Sequence, residues 1–238
     1  AGAWETLSPS YVVAHDKQTG DVVWKTPRMT GGDAEQCDAY TTPVFGVHDG
    51  RTEMVVMGGN RLDAYDPADG RQLWSLDGLV GGRTITGPTV AHGLAYVTVG
   101  MRGPLHAVKL GASGSRTADE AVTWKDDHNT PDTCCPVVAG GLLFVVTDNG
   151  IATCYDAADG TLKWRKRLAG ETYKASPGAA DGRVYFLSRE GLCTVVSAAD
   201  GFELVAENRL DDEFMASPAV SDGRIFLRGR RALYAVGR

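Results

Sequence analysis

The stretch Ala64-Tyr65-Asp66-Pro67-Ala68-Asp69-Gly70-Arg71-Gln72-Leu73-Trp74 decides the fold, because the chain repeats it. Cys154 to Trp164 is nearly the same string, and Ala14, Asp16, Gly20 and Trp24 keep its spacing. A worn copy reads Val195, Ser197, Gly201 and Val205, where the tryptophan is gone and its place falls on Val205. A stretched copy runs from Ala107 to Trp124 around a glycine- and serine-rich insert at Gly111 to Ser115. A last copy begins at Leu233-Tyr234-Ala235-Val236. The physical content of the string is local. An aspartate can accept backbone N–H bonds in a turn, a glycine can take positive φ, and a tryptophan offers a large apolar surface to a neighbour.

A second motif sits between these copies: Thr42-Pro43, Gly87-Pro88, Cys135-Pro136, Ser176-Pro177 and Ser217-Pro218. The prolines are 45, 48, 41 and 41 residues apart. Each is followed by a turn (Asp49-Gly50, His92-Gly93, Gly140-Gly141, Asp181-Gly182, Asp222-Gly223) and then by a short apolar run. Proline suits the first residue of a strand, since it has no N–H to give the ladder. Asp-Gly and Gly-Gly are hairpin turns. Each period therefore reads as four short strands, the proline strand innermost and the tryptophan strand outermost. Such a unit repeated every 40–50 residues or so predicts a β-propeller.

The expected fold is all-β, with about five to six four-stranded blades in one domain over residues 1–238. Four periods are complete. The N-terminus supplies a third and fourth strand (Tyr11 to Ala14, Val22 to Lys25), with Trp4 to Leu7 a candidate further strand. The C-terminus supplies a first, second and third. A closed ring and an open arc of a larger ring fit this count equally.

Composition narrows the function. Thirty glycines in 238 residues, about twice ordinary usage, fit many tight turns. The net charge of −6 supplies no excess of cations for a nucleic-acid backbone. No apolar run is long enough to span a membrane as a helix, and Ala1 to Glu5 does not read as a signal peptide. The five cysteines (Cys37, Cys134, Cys135, Cys154, Cys193) cannot all pair within the chain, and none are spaced as CxxC. Five scattered histidines show no metal spacing, and Gly111 to Ser115 lacks the last glycine of a nucleophile elbow. The Asp66 to Gly70 and Asp156 to Gly160 strings lack the ligand pattern of an EF-type calcium loop and read as hairpin turns.

The strings Ala64 to Trp74, Cys154 to Trp164, Ser176 to Tyr185 and Ser217 to Phe226 resemble the pyrroloquinoline-quinone (PQQ)-type propeller repeat. The resemblance covers nearly the whole chain from Tyr11. One branch of that family, the quinoprotein dehydrogenases, holds PQQ and calcium on the propeller axis. The other is cofactor-free and BamB-like, and includes repeat proteins of planctomycete-type genomes. Those proteins are usually longer at the N-terminus, which favours an incomplete propeller here.

The resemblance implies a non-catalytic binding or scaffold propeller of the bacterial cell envelope, periplasmic or secreted, with a protein or peptide partner, no nucleic acid and no resident cofactor. The first alternative is a PQQ- and calcium-dependent dehydrogenase domain, with Cys134 and Cys135 against the quinone. The second is a fragment that completes a larger propeller. For partner binding the expected residues lie in the loops from fourth to first strands, which a propeller gathers on one face: Asp38, Tyr40, Arg83, His128, Tyr173, Lys174 and Glu213.

Overall fold

The computed structural model describes residues 10–100 and 103–237, and the candidate strand at Trp4 to Leu7 lies outside the described residues. Among the described residues six sheets follow one another along the chain. The first pairs β1 (Tyr11–His15) with β2 (Val22–Pro27). The second holds β3 (Val44–His48), β4 (Arg51–Gly58), β5 (Arg61–Tyr65) and β6 (Gln72–Asp77). The third begins with β7 (Thr89–Ala91), β8 (Leu94–Thr98) and β9 (Leu105–Lys109). The chain then departs as β10 (Gly114–Arg116), turns through the short α1 (Ala118–Ala121), and completes the third sheet with β11 (Val122–Asp126).

The fourth sheet is β12 (Val137–Ala139), β13 (Leu142–Val146), β14 (Ile151–Asp156) and β15 (Leu162–Arg167). The fifth is β16 (Gly178–Ala180), β17 (Arg183–Leu187), β18 (Leu192–Ser197) and β19 (Leu204–Arg209). The sixth is β20 (Ala219–Ser221), β21 (Arg224–Arg228) and β22 (Leu233–Gly237). Each first strand starts directly after its proline, and successive first strands lie against one another, so the proline strands are innermost as the sequence predicts. The four complete periods are the four blades in the middle. No register pairs the first sheet with the sixth among the described residues, and Val22, Val23, Leu233 and Val236 on these end sheets are exposed. The fold is a partial β-propeller.

Two details depart from the repeat reading. The insert at Gly111 to Ser115 is not a plain loop. Its β10 adds a fifth strand to the second blade, parallel to β6, with Gly114 opposite Trp74. The worn copy is also one residue out of step. Tryptophans pair with Ala14, Ala64 and Cys154, but Val195 pairs with Ala206, not with Val205. The turn of the fifth blade is one residue longer, so alanine occupies the tryptophan place.

The motif residues lock each blade to the next. Trp24 donates its indole N–H to Pro67 O in the second blade (3.0 Å). Trp124 donates to Ala157 O (3.1 Å) and Trp164 to Ala199 O (3.3 Å), each in the turn of the following blade. The turn glycine serves this contact. Gly160 has φ +75°, and a Cβ there would lie 2.5 Å from the Trp124 ring. At the inner end the residues before the last four of these prolines make a second chain of bonds. Gly87 N donates to Cys135 Sγ (3.2 Å), Cys135 N to Ser176 Oγ (2.9 Å), and Ser176 N to Ser217 Oγ (3.0 Å). At Cys135, Ser176 and Ser217 a small side chain supplies the acceptor. Between the first and second blades a buried Arg28–Asp63 pair (2.7 Å) adds a third kind of lock.

Candidate functional site

Adjacent strands of a blade are antiparallel, so the second-to-third turns must emerge on the same face as the fourth-to-first loops. The structure laces the two sets together. Tyr173 N donates to Asp148 O (2.9 Å) on the hairpin before it, and Thr172 O accepts from Arg189 N (2.7 Å) on the hairpin after it. One blade further, Phe214 N donates to Arg189 O and Arg230 N to Glu213 O, both at 2.9 Å. Nearer the N-terminus, Thr84 N donates to Asp38 O (2.9 Å) and Tyr40 N to Thr84 O (2.8 Å), which ties two neighbouring loops directly. Each of these loops is thus held by backbone bonds from a neighbouring blade or loop, leaving its side chains on a fixed frame.

Ion pairs cross the same seams. Arg83 reaches Asp132 (3.3 Å) and Glu35 (4.0 Å) on the loops to either side. Lys174 Nζ lies 2.5 Å from Asp148 Oδ2, and the other oxygen of Asp148 accepts from Thr133 N and Oγ1. Glu213 is clasped by Arg189 and by Arg230 (3.4 Å). Hydrogen bonding to the Arg189 guanidinium, then its charge, holds the Glu213 carboxyl below the usual range. Between the third and fourth blades Asp132 and Asp148 of these pairs line an oxygen-rich cleft of about 270 Å³, with Asp127, Asn129, Thr130, Thr147 and Asn149. Such a surface can recognise a polypeptide of mixed charge by hydrogen bonds and charge pairing.

Of the expected partner-binding residues, the structure brings Arg83, Lys174 and Glu213 into these interblade pairs. Tyr40 is exposed at the edge of the face, and Asp38 is half-buried and uses its backbone carbonyl. His128 is exposed and its Nδ1 lies 3.0 Å from Asp126 Oδ1. Tyr173 is a correction. Its side chain is fully buried, and its hydroxyl accepts a bond from Gly170 N (3.1 Å). It is a core residue that anchors the loop and is not presented to a partner. The sequence reading missed Asp148, Arg189 and Arg230 because it considered only one set of loops. The strand alternation itself was the signal that the second-to-third hairpins share the face.

The vicinal cysteines Cys134 and Cys135 directly precede Pro136 at the inner start of the fourth blade. Both are free thiols. Cys134 is fully buried, its Sγ bonded to Ala175 O (3.3 Å), and burial pushes its thiol up to about 12. Cys135 takes the serine place in the inner chain of bonds. Trp24, Trp124 and Trp164 are committed to interblade turns.

Known proteins resemble this chain at two levels. The family model described as outer membrane protein assembly factor BamB matches residues 8–117 and 111–204. Among solved structures, the crystal structure of BamB from Moraxella catarrhalis superposes with a TM-score of 0.69 at 13% sequence identity. That match covers 94% of this chain and 66% of the other, so the chain spans just under two thirds of that protein's length. No curated protein matches the chain by sequence.

Proposed function

The chain belongs to the PQQ-like β-propeller repeat family that includes BamB, and from that premise we propose that it is a cofactor-free binding or scaffold propeller of the bacterial cell envelope. It docks a protein or peptide partner on the laced loop face, in the manner of an assembly factor. The observation that carries this reading is the lacing itself. Loops fixed by backbone bonds across blade seams lose little freedom on binding, which lowers the cost of association. Seam charges around the oxygen-rich cleft supply orientation more than affinity.

The test is photo-crosslinking from the exposed positions Tyr40 and His128 in envelope preparations of the source bacterium. One specific adduct is expected, weakened by Arg83→Glu or Lys174→Glu in protein that circular dichroism shows is still folded. Adducts insensitive to both reversals would reject the face. Retention of one quinone per chain after incubation with PQQ and Ca²⁺ would reject the cofactor-free part.

A second reading, that the arc completes a larger ring, is favoured by the exposed apolar strands of the end blades. It predicts self-association at high concentration in sedimentation runs, and a strictly monomeric arc would count against it.

A further inference from the structure

Thr130 stands out in the oxygen-rich cleft between the third and fourth blades. It belongs to the cleft wall and is only 2% exposed, yet its Oγ1 is buried with no hydrogen-bond partner among the described residues. A buried hydroxyl with nothing to bond costs stability, so in a native fold it calls for a reason. The other hydroxyl of the wall shows the ordinary case. Thr147 Oγ1 donates to Asn149 Oδ1 (2.6 Å) and accepts from Ile151 N (2.9 Å).

The rest of the wall says what kind of group would satisfy Thr130. It consists of carboxylates, side-chain amides and hydroxyls, and no basic side chain is among the described residues that line it. Asp132 and Asp148 are engaged across the seam by Arg83 and Lys174. Asp127 is held more loosely. Its ion pair with Lys125 spans 3.7 Å, and both side chains are more than half exposed, so solvent screens the attraction. The acceptors are also spread out. Among the described residues no three His, Cys, Asp or Glu side chains are grouped to hold a metal ion. Spaced acceptors suit a planar cation with several donors. A guanidinium carries five N–H donors in a fixed fork and is weakly hydrated, whereas an ammonium is a compact and strongly hydrated point charge.

We propose that this cleft is a guanidinium subsite, which receives an arginine side chain of the partner and pairs it with the Asp127 carboxylate and the Thr130 hydroxyl oxygen. The source of the arginine rests on the reading of the loop face given above. The subsite itself belongs to this chain alone and can be tested without a partner.

The probe is methylguanidinium, added to the purified chain while the backbone amide NMR signals of Asn129, Thr130 and Asn149 are followed. Tetramethylammonium, which has the same charge and no N–H donor, is the control. Methylguanidinium should give a saturable shift at these amides and tetramethylammonium should not. Thr130→Val keeps the shape and removes the hydroxyl. It should weaken methylguanidinium binding about tenfold, the value of a hydrogen bond to a charged group, and should raise Tm because the orphan is gone. Asp127→Asn should weaken binding about threefold, as expected for a solvent-exposed ion pair. No saturable shift, an equal shift with tetramethylammonium, or a Thr130→Val protein that is less stable and binds as well as wild type would overturn the proposal. If methylguanidinium binds while crosslinking from Tyr40 and His128 finds no adduct, the subsite stands and the partner reading falls. An adduct without methylguanidinium binding leaves the partner reading and removes the subsite.

Discussion

Trp74 and Trp164 end nearly identical strings, yet their indoles are satisfied in different ways. Trp164 follows the rule of the repeat and reaches Ala199 O in the next blade. Trp74 stays within its own blade and donates to Glu53 Oε2 (2.8 Å), a carboxylate with no solvent exposure. The reason lies in the third blade. Its turn has been replaced by the insert that carries β10 and α1, so no turn carbonyl faces Trp74. Glu53 replaces it, and is itself held by Arg51, which also donates to Ala112 O in the insert (2.8 Å). The corresponding position in the fourth blade is Leu142, by register. A repeat thus sets its own strands, while the acceptor for its tryptophan depends on the repeat that follows.

The comparison can be broken most severely at the rule-following joints. Trp124→Ala should cost about 3–5 kcal/mol in chemical denaturation, from lost burial and the cavity left behind. A loss below about 1 kcal/mol would mean that the indole does not hold the blades. Next is Glu53→Leu, which imports the residue of the fourth blade. It leaves the buried Trp74 N–H without an acceptor, and the expected loss is about 1–3 kcal/mol. Leu142→Ile, at the same position where no indole depends on it, should change stability by less than about 1.5 kcal/mol.

A finer contrast separates backbone strain from interblade contact. Gly20 and Gly160 both have positive φ, but only Gly160 meets a neighbouring ring. Gly20→Ala should cost about 1 kcal/mol from conformation alone. Gly160→Ala should cost distinctly more, because Trp124 must move. Equal losses would show that the turn glycine serves φ only.

The smallest effect is on the loop face. Glu213 has its carboxyl pKa lowered by Arg189, so its contribution is fully present above the unfolded value near 4.5 and is lost as pH falls through the lower folded value. The Tm difference between wild type and Glu213→Gln should shrink toward zero on acidification. A difference that grows in acid would contradict the pairing.

The fold was largely legible because its signals are local. Asp-x-x-Asp-Gly and Asp-Gly turns and strand-initiating prolines need no partner to be recognised, and all four complete periods stand where they predict. What was illegible depended on neighbours. Glu53 looks like an ordinary strand residue until the missing turn of the next blade is known. Ala206 was hidden by one extra residue in a turn, which shifts the register without changing the spacing of Val195, Ser197 and Gly201. On the face, polarity marked Arg83, Lys174 and Glu213, but Tyr173 has the same amphipathic chemistry and is buried. Their partners Asp148, Arg189 and Arg230 required the strand directions, which the alternation contains but a loop-by-loop reading does not use.

The most direct test of the laced face is native-state hydrogen exchange at the amides of Tyr173, Arg189, Phe214 and Arg230. The structure predicts protection comparable to the strands of the central blades, since each amide is bonded across a seam. Exchange at the rate of an unprotected loop would mean that the face is not preorganised, and the binding role built on it would fall.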